Sequence, residues 1–140
     1  MTREMLAARW KEIGDKVIAL AEEFPADHYD AHPADGTRSF AEQLRHVAFW
    51  NQYLRASLNG ESPDGSANEL PRAAHATKGK IVSALRESFD AVGDDIAANG
   101  VANDPQKVDA VVSYLGHNAE HYGALTVYFR VNGRVPPASR

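Results

Sequence analysis

The amino-acid sequence predicts an all-α fold, a four-helix bundle in which residues 1–140 form a single domain. Four segments place apolar residues at every third or fourth position, which is the period of an amphipathic helix. No segment alternates apolar and polar residues between hairpin turns, as strands do. A chain of 140 residues is also long enough to bury one core without disulfides.

The first helix is predicted over about residues 3–23. Its apolar stripe consists of Leu6, Trp10, Ile13, Val17, Leu20 and Phe24. Pro25 lies just beyond the stripe, where a helix commonly stops. Residues 25–38 are rich in Pro, Asp and Gly and have no period, so they predict a long loop that can carry a crossover between non-adjacent helices.

The second helix is predicted over about residues 40–58. Ser39 and Glu42 have the spacing of a capping box, in which each residue satisfies a backbone N–H of the first turn. Asn59 and Gly60 supply a C-terminal stop.

The third and fourth helices follow a second polar loop. The third carries one apolar stripe and closes at Asn99 and Gly100; the stripe comprises Ile81, Leu85, Phe89, Val92 and Ile96. The fourth begins at Asp104, an N-cap residue followed by proline at the first helical position, and ends at Asn132 and Gly133.

Composition excludes several classes of function. The chain has no cysteine, which removes disulfides, a thiolate nucleophile and cysteine-based metal sites. Its formal net charge of −4 argues against nucleic acid as a partner, because phosphate binding needs clustered cations. Neither a membrane-spanning apolar run nor a signal peptide is evident, so a cytoplasmic protein without a membrane partner is expected.

Three histidines form the candidate site. His117 and His121 are four residues apart on the fourth helix, which places both imidazoles on one face about 40° apart. His46 lies at the edge of the apolar stripe of the second helix and points inward. Three imidazoles with one open coordination position suit a catalytic or substrate-binding divalent metal, with zinc or nickel as the first candidates. The alternative is that the histidines are interior residues with ordinary hydrogen-bond partners.

The residues around the histidines predict a pocket. Gln43, Trp50 and Tyr53 flank His46, while Ser113 and Tyr128 share the face of His117 and His121. The stretch HNAEH also matches an inverted zincin motif, but residues 122–140 contain no acidic residue to complete such a site. Glu120 is therefore expected either to be solvated or to orient a ligating histidine from behind.

Two stretches resemble the DinB/YfiT-like superfamily: SFAEQLRHVAFWNQYL and GHNAEHYGALTVYFRVNGRVPP. The resemblance spans nearly the whole chain and rests on three histidines in order. It implies a four-helix bundle with an unusual connection and, by position, a divalent metal held by His46, His117 and His121. The superfamily includes metal-dependent hydrolases, transferases that use low-molecular-weight thiols and thiol-dependent isomerases.

The sequence therefore predicts two alternative functions. The first is a metal-dependent hydrolase or thiol S-transferase acting on a small molecule, with the three histidines as ligands. The second is a non-catalytic bundle for small-molecule binding or assembly, with the histidines buried for packing.

A stripe of small residues on the fourth helix predicts close packing. Gly116, Ala119 and Gly123 lie away from the histidine face, and glycine inside a helix costs about 1 kcal/mol relative to alanine. Close approach of another helix offsets that cost, first within the bundle and alternatively from a second subunit. Phe49 lies opposite the apolar stripe of the second helix and is expected to be exposed, so a homodimer is predicted.

Overall fold

The computed structural model describes residues 1–98 and 100–140, and most of them lie in four helices. These are α1 (Arg3–Glu23), α2 (Phe40–Leu58), α3 (Lys78–Ala98) and α4 (Pro105–Val131), with short 3-10 turns at Ala26–His28, Val101–Asn103 and Pro137–Ser139. The described residues contain no strand, which confirms the predicted all-α four-helix fold. Within these two ranges, no helix is both long enough and apolar enough to cross a bilayer.

The predicted caps set the helix ends. Ser39 Oγ accepts from the Glu42 N–H at 3.1 Å, and the Glu42 carboxylate accepts from the Ser39 N–H at 3.0 Å. The Asp104 side chain accepts from two backbone N–H groups of the first turn of α4. At the end of α3, Gly100 has a φ of +64°, the left-handed conformation that suits glycine after a helix, while Asn99 lies outside the described residues.

The bundle connects its helices diagonally. α1 packs against α3 and α4, and α2 packs against the same two helices, so α1 and α2 occupy opposite corners. The loop over residues 24–39 therefore crosses the end of the bundle, as its length and composition predict. Tyr29 fastens this loop: its hydroxyl donates to the Ala21 carbonyl, and its own carbonyl accepts from the Ala41 N–H.

Aromatic packing joins the loop to the core. Phe24 stacks on Phe40 with ring centroids 4.0 Å apart, and Phe129 of α4 packs beside both. In the other half of the bundle, Gly14 of α1 lets the Phe89 ring of α3 approach so closely that an added Cβ would lie 2.9 Å from it. The glycine required for close packing within the bundle is therefore Gly14.

Two sequence-based expectations were wrong: close packing of the small-residue stripe within the bundle, and the exposure of Phe49. Packing of the stripe against a second subunit stays a prediction. Gly116 and Gly123 do not meet another helix of the bundle, because a Cβ at either position would find nothing within 4 Å. Both glycines and Ala119 lie on the exposed outer side of α4. Phe49 is partly buried and packs edge-on against the Trp50 ring at 5.2 Å, so it is not the exposed aromatic expected from the helical wheel.

Candidate metal centre

Three histidine side chains converge between α2 and α4. α2 contributes His46, and α4 contributes His117 and His121 from successive turns. One ring nitrogen from each lies within 4.8 Å of the others, and the Nε2 atoms of His46 and His117 are 3.2 Å apart. Two nitrogens bound tetrahedrally at the usual zinc distance would be separated by about 3.3 Å. The observed spacing is compatible with two ligands of one ion, and it is also that of an N–H···N hydrogen bond between the two rings.

A residue of the loop between α2 and α3 orients His46 through the ring nitrogen that points away from the cluster. Its Nδ1 lies 2.8 Å from the backbone carbonyl of Asn68. A carbonyl only accepts, so Nδ1 carries the proton and Nε2 presents its lone pair to the cluster. Arg45 of α2 makes two hydrogen bonds to this loop. Its carbonyl accepts from the Leu70 N–H, and its guanidinium donates to the His75 carbonyl.

His121 is oriented by a chain of polar groups. Tyr128 donates its hydroxyl hydrogen to the Arg38 carbonyl, so its oxygen is free to accept from the Gln43 amide nitrogen at 3.4 Å. The amide oxygen of Gln43 then faces His121 Nδ1 at 2.6 Å. Nδ1 must donate to that oxygen, which again leaves the Nε2 lone pair for the cluster.

His117 has a different environment behind it. Its Nδ1 and the Oδ1 of Asn118 are the two buried side-chain polar atoms without a hydrogen-bond partner in the described residues. Asn118 itself is fully buried and donates to Asn51, which donates in turn to Ser88. This buried chain fixes the Asn118 amide so that its oxygen stays available to the adjacent imidazole.

Burial keeps the three imidazoles neutral. Desolvation lowers the pKa of His46 and of His121 to about 4, and it also lowers the pKa of His117. The Arg38 charge acts in the same direction on all three rings. Neutral imidazole is the form that binds a metal, so the site is ready for a cation at neutral pH without having to lose protons.

A cavity of about 350 Å³ opens beside the histidines. Six residues line it: His46, Trp50, Asn68, Ser113, Tyr114 and His117. Trp50 forms one wall, and its indole N–H donates to the Asn68 side chain at 2.8 Å while Gly65 packs on its ring. A larger and more polar groove of about 620 Å³ lies between α2 and α3 but contains no histidine, so the cavity at the cluster is the chemically relevant one.

The five residues predicted to form the pocket have different positions. Trp50 and Ser113 line the cavity, and Tyr53 packs on the Trp50 ring with centroids 4.9 Å apart. Gln43 and Tyr128 lie behind His121 and orient it. Glu120 is exposed, and its negative charge raises the pKa of His117, which opposes the lowering of that pKa by burial.

Sequence reasoning missed Asn68, Asn118 and Tyr114. Asn68 adopts a φ of +62°, which is uncommon for a residue other than glycine and most tolerable for asparagine. The stretch SANE carries no period that would mark it, and only the preference of asparagine for left-handed turns hinted at its role. Tyr114 is half-buried at the cavity, where burial raises its pKa to about 12, so its phenol stays protonated.

Asn68 makes two interactions, one with His46 through its backbone carbonyl and one with Trp50 through its side chain, and variants should separate them. Asn68→Gly keeps the left-handed backbone and hence the carbonyl behind His46, but it removes the acceptor for Trp50. We expect zinc affinity to stay within about threefold and Trp50 fluorescence to shift to the red. Asn68→Val strains the backbone by about 1–2 kcal/mol and should lower zinc affinity roughly tenfold or more.

The readouts are competition titration with a chromophoric chelator and emission spectra. Trp10 is an internal reference for the emission spectra, because its indole N–H donates to the Phe89 carbonyl in the other half of the bundle. Equal zinc affinities in the glycine and valine variants would show that the Asn68 carbonyl does not orient His46.

Comparison with known proteins gives a family. A search of curated proteins finds no match to the chain. A family model described as the DinB superfamily matches residues 9–125, which include α2, all three histidines and most of α4. Because the matched region covers well over half of the sequence, the chain belongs to the DinB superfamily.

Proposed function

We propose that His46, His117 and His121 hold one divalent ion and that the protein is a metal-dependent enzyme for small molecules. The observation that carries this proposal is the direction of the lone pairs. His46 and His121 each engage Nδ1 with an acceptor outside the cluster, so each keeps a free lone pair on Nε2. His117 Nε2 lies 3.2 Å from that of His46. Three neutral imidazoles are a donor set that suits zinc and nickel.

The arrangement supports a catalytic ion better than a structural one. Structural zinc sites close their shell with four protein ligands, whereas three ligands leave a position for substrate or solvent. The cluster of metal-binding side chains in the described residues contains these three histidines and no carboxylate. When bound, the ion would supply Lewis acidity that lowers the pKa of a coordinated thiol or water.

Transfer of a thiol is the better of the two candidate reactions. Attack by water commonly relies on a carboxylate as general base, as in zinc proteases. Among the described residues that line the cavity there is no Asp or Glu, and Glu120 is exposed on α4. A thiol, with an ordinary pKa of about 8.5, needs far less help than water with its pKa of about 15.7. The chain has no cysteine, so the thiol must arrive as a co-substrate.

The cavity wall indicates the second substrate. Trp50 and Tyr114 offer aromatic faces, and the lining that the structure describes contains no Lys or Arg. An uncharged electrophile with an apolar or aromatic body would fit between these rings. The Tyr114 phenol and the Ser113 hydroxyl at the cavity are available to donate hydrogen bonds to its polar atoms.

The test is a rate measurement on protein loaded with one equivalent of zinc or nickel. Low-molecular-weight thiols are combined with an uncharged aryl halide, and activated esters without thiol are assayed in parallel. We expect thiol conjugation at least about tenfold above the uncatalysed rate. His117→Ala should return the rate to background, and the matched control His28→Ala, an exposed loop histidine, should not.

Each outcome separates the candidates. Ester hydrolysis without thiol conjugation would favour the hydrolase over the transferase. Metal binding without either reaction would favour a non-catalytic metal-binding or small-molecule-binding module. A wild type that binds no metal would leave the histidines with a packing role and contradict the proposal.

A further inference from the structure

The outer side of α4 lacks the polar character of a solvent-facing helix surface. Between Ala110 and Phe129, Glu120 is the one charged residue in the sequence. The outer α4 face consists of Val112, Gly116, Ala119, Gly123 and Val127, all exposed, with Val112 at 42% and Val127 at 50%. A helix that is apolar on nearly all sides is normally covered on all sides.

We propose that the outer α4 face binds a second copy of this chain, with the two α4 helices antiparallel about a twofold axis between Ala119 and Glu120. The sequence is symmetric in character about that point. Gly116 lies three residues before Ala119, and Gly123 lies three residues after Glu120. Val112 lies seven residues before Ala119, and Val127 lies seven residues after Glu120. Like residues therefore face like residues, as an isologous interface requires.

Charge complementarity selects the antiparallel arrangement. Asp109 lies ten residues before Ala119, and Arg130 lies ten residues after Glu120, so each Asp109 meets Arg130 of the partner subunit. Both side chains are exposed on the outer side of α4, and neither has an ion-pair partner among the described residues. A parallel pair would instead place each Asp109 against its own copy, which is unfavourable.

Shape supports the same pairing. A surface hollow of about 410 Å³ lies at the start of α4, and its rim includes Met1, Val108 and Val112. Val112 lies on this rim, and its counterpart is Val127 of the partner subunit. Val127 is 50% exposed and would pack against this hollow. At the centre, Gly116 and Gly123 have open space at their Cβ positions, which lets two backbones approach closely.

Charge reversal tests the pairing by sedimentation velocity at micromolar concentrations. We expect the wild type to be a dimer. Asp109→Arg and Arg130→Asp each create two repulsive pairs per dimer and should weaken association at least about tenfold. The double variant Asp109→Arg/Arg130→Asp recreates both pairs with reversed polarity and should restore the dimer. A monomeric wild type, or a double variant no better than the single ones, would overturn the proposal.

Cross-linking tests the position of the axis. The chain has no cysteine, so Ala119→Cys introduces a single thiol beside the axis, and oxidation should yield a disulfide-linked dimer. Ser83→Cys is the matched control, because Ser83 is exposed on α3, which lies diagonally across the bundle from α4. Equal cross-linking of both variants would overturn the proposal. These measurements need no metal, so they can succeed or fail independently of the metal-site proposal.

Discussion

Replacing His117 by alanine is expected to lower the affinity of the protein for zinc by a few hundredfold. Four-ligand zinc sites have apparent binding free energies of about 10–16 kcal/mol, which corresponds to about 2.5–4 kcal/mol per ligand. His117 contributes the Nε2 that lies 3.2 Å from His46 Nε2, so its loss leaves only two histidines in the cluster. Competition titration with a chromophoric chelator at neutral pH measures the change.

The control for this experiment is His28→Ala. His28 is an exposed loop histidine outside the cluster, so its loss removes an imidazole from the protein without touching the site. His117 is only partly buried, and circular dichroism will show whether the variant keeps its helices. An affinity within about threefold of wild type in a folded His117→Ala protein would exclude His117 as a ligand.

Zinc binding is expected to raise the melting temperature by roughly 10 °C. A ligand that binds only the folded state adds about 4 kcal/mol to the free energy of unfolding when its free concentration is about a thousand times its Kd. For a domain of this size, 1 kcal/mol corresponds to a few degrees. Differential scanning calorimetry with zinc, and again after excess chelator, measures the rise and its reversal.

The same scan on His117→Ala distinguishes site binding from nonspecific effects. The shift should fall to roughly a fifth in this variant, because an affinity loss of a few hundredfold leaves free zinc only a few times above the Kd, and it should persist in full in His28→Ala. A shift of equal size in both variants would mean that zinc stabilises the protein elsewhere. No shift in the wild type would mean that the three histidines do not hold zinc in the folded state.

The fold was predictable because its determinants are local. Ser39 with Glu42, and Asp104 with Pro105, fix helix starts through bonds within one turn, and the structure has α2 and α4 beginning at those sites. The packing of α4 was less predictable. A small-residue stripe indicates the close approach of another surface, but the same stripe fits a neighbouring helix or another subunit. Among the described residues, no other helix of the bundle lies within 4 Å of a Cβ placed at Gly116.

The candidate site was predictable in part. Helical spacing puts His117 and His121 on one face, and the apolar stripe of α2 turns His46 inward. The groups that orient the histidines reach them through tertiary contacts. The Asn68 carbonyl comes from a loop without periodicity, and the Gln43 to Tyr128 bond joins two helices through a rotamer choice. Neither follows from a pattern along the chain.

The most direct test of the three-histidine metal site is X-ray absorption spectroscopy of tag-free protein loaded with one equivalent of zinc. A site of three histidines predicts nearest scatterers at about 2.0–2.1 Å from the zinc and the outer-shell scattering of three imidazoles. His117→Ala should lose one of the three. A spectrum of zinc surrounded by oxygen alone, or the same imidazole number in wild type and variant, would contradict it.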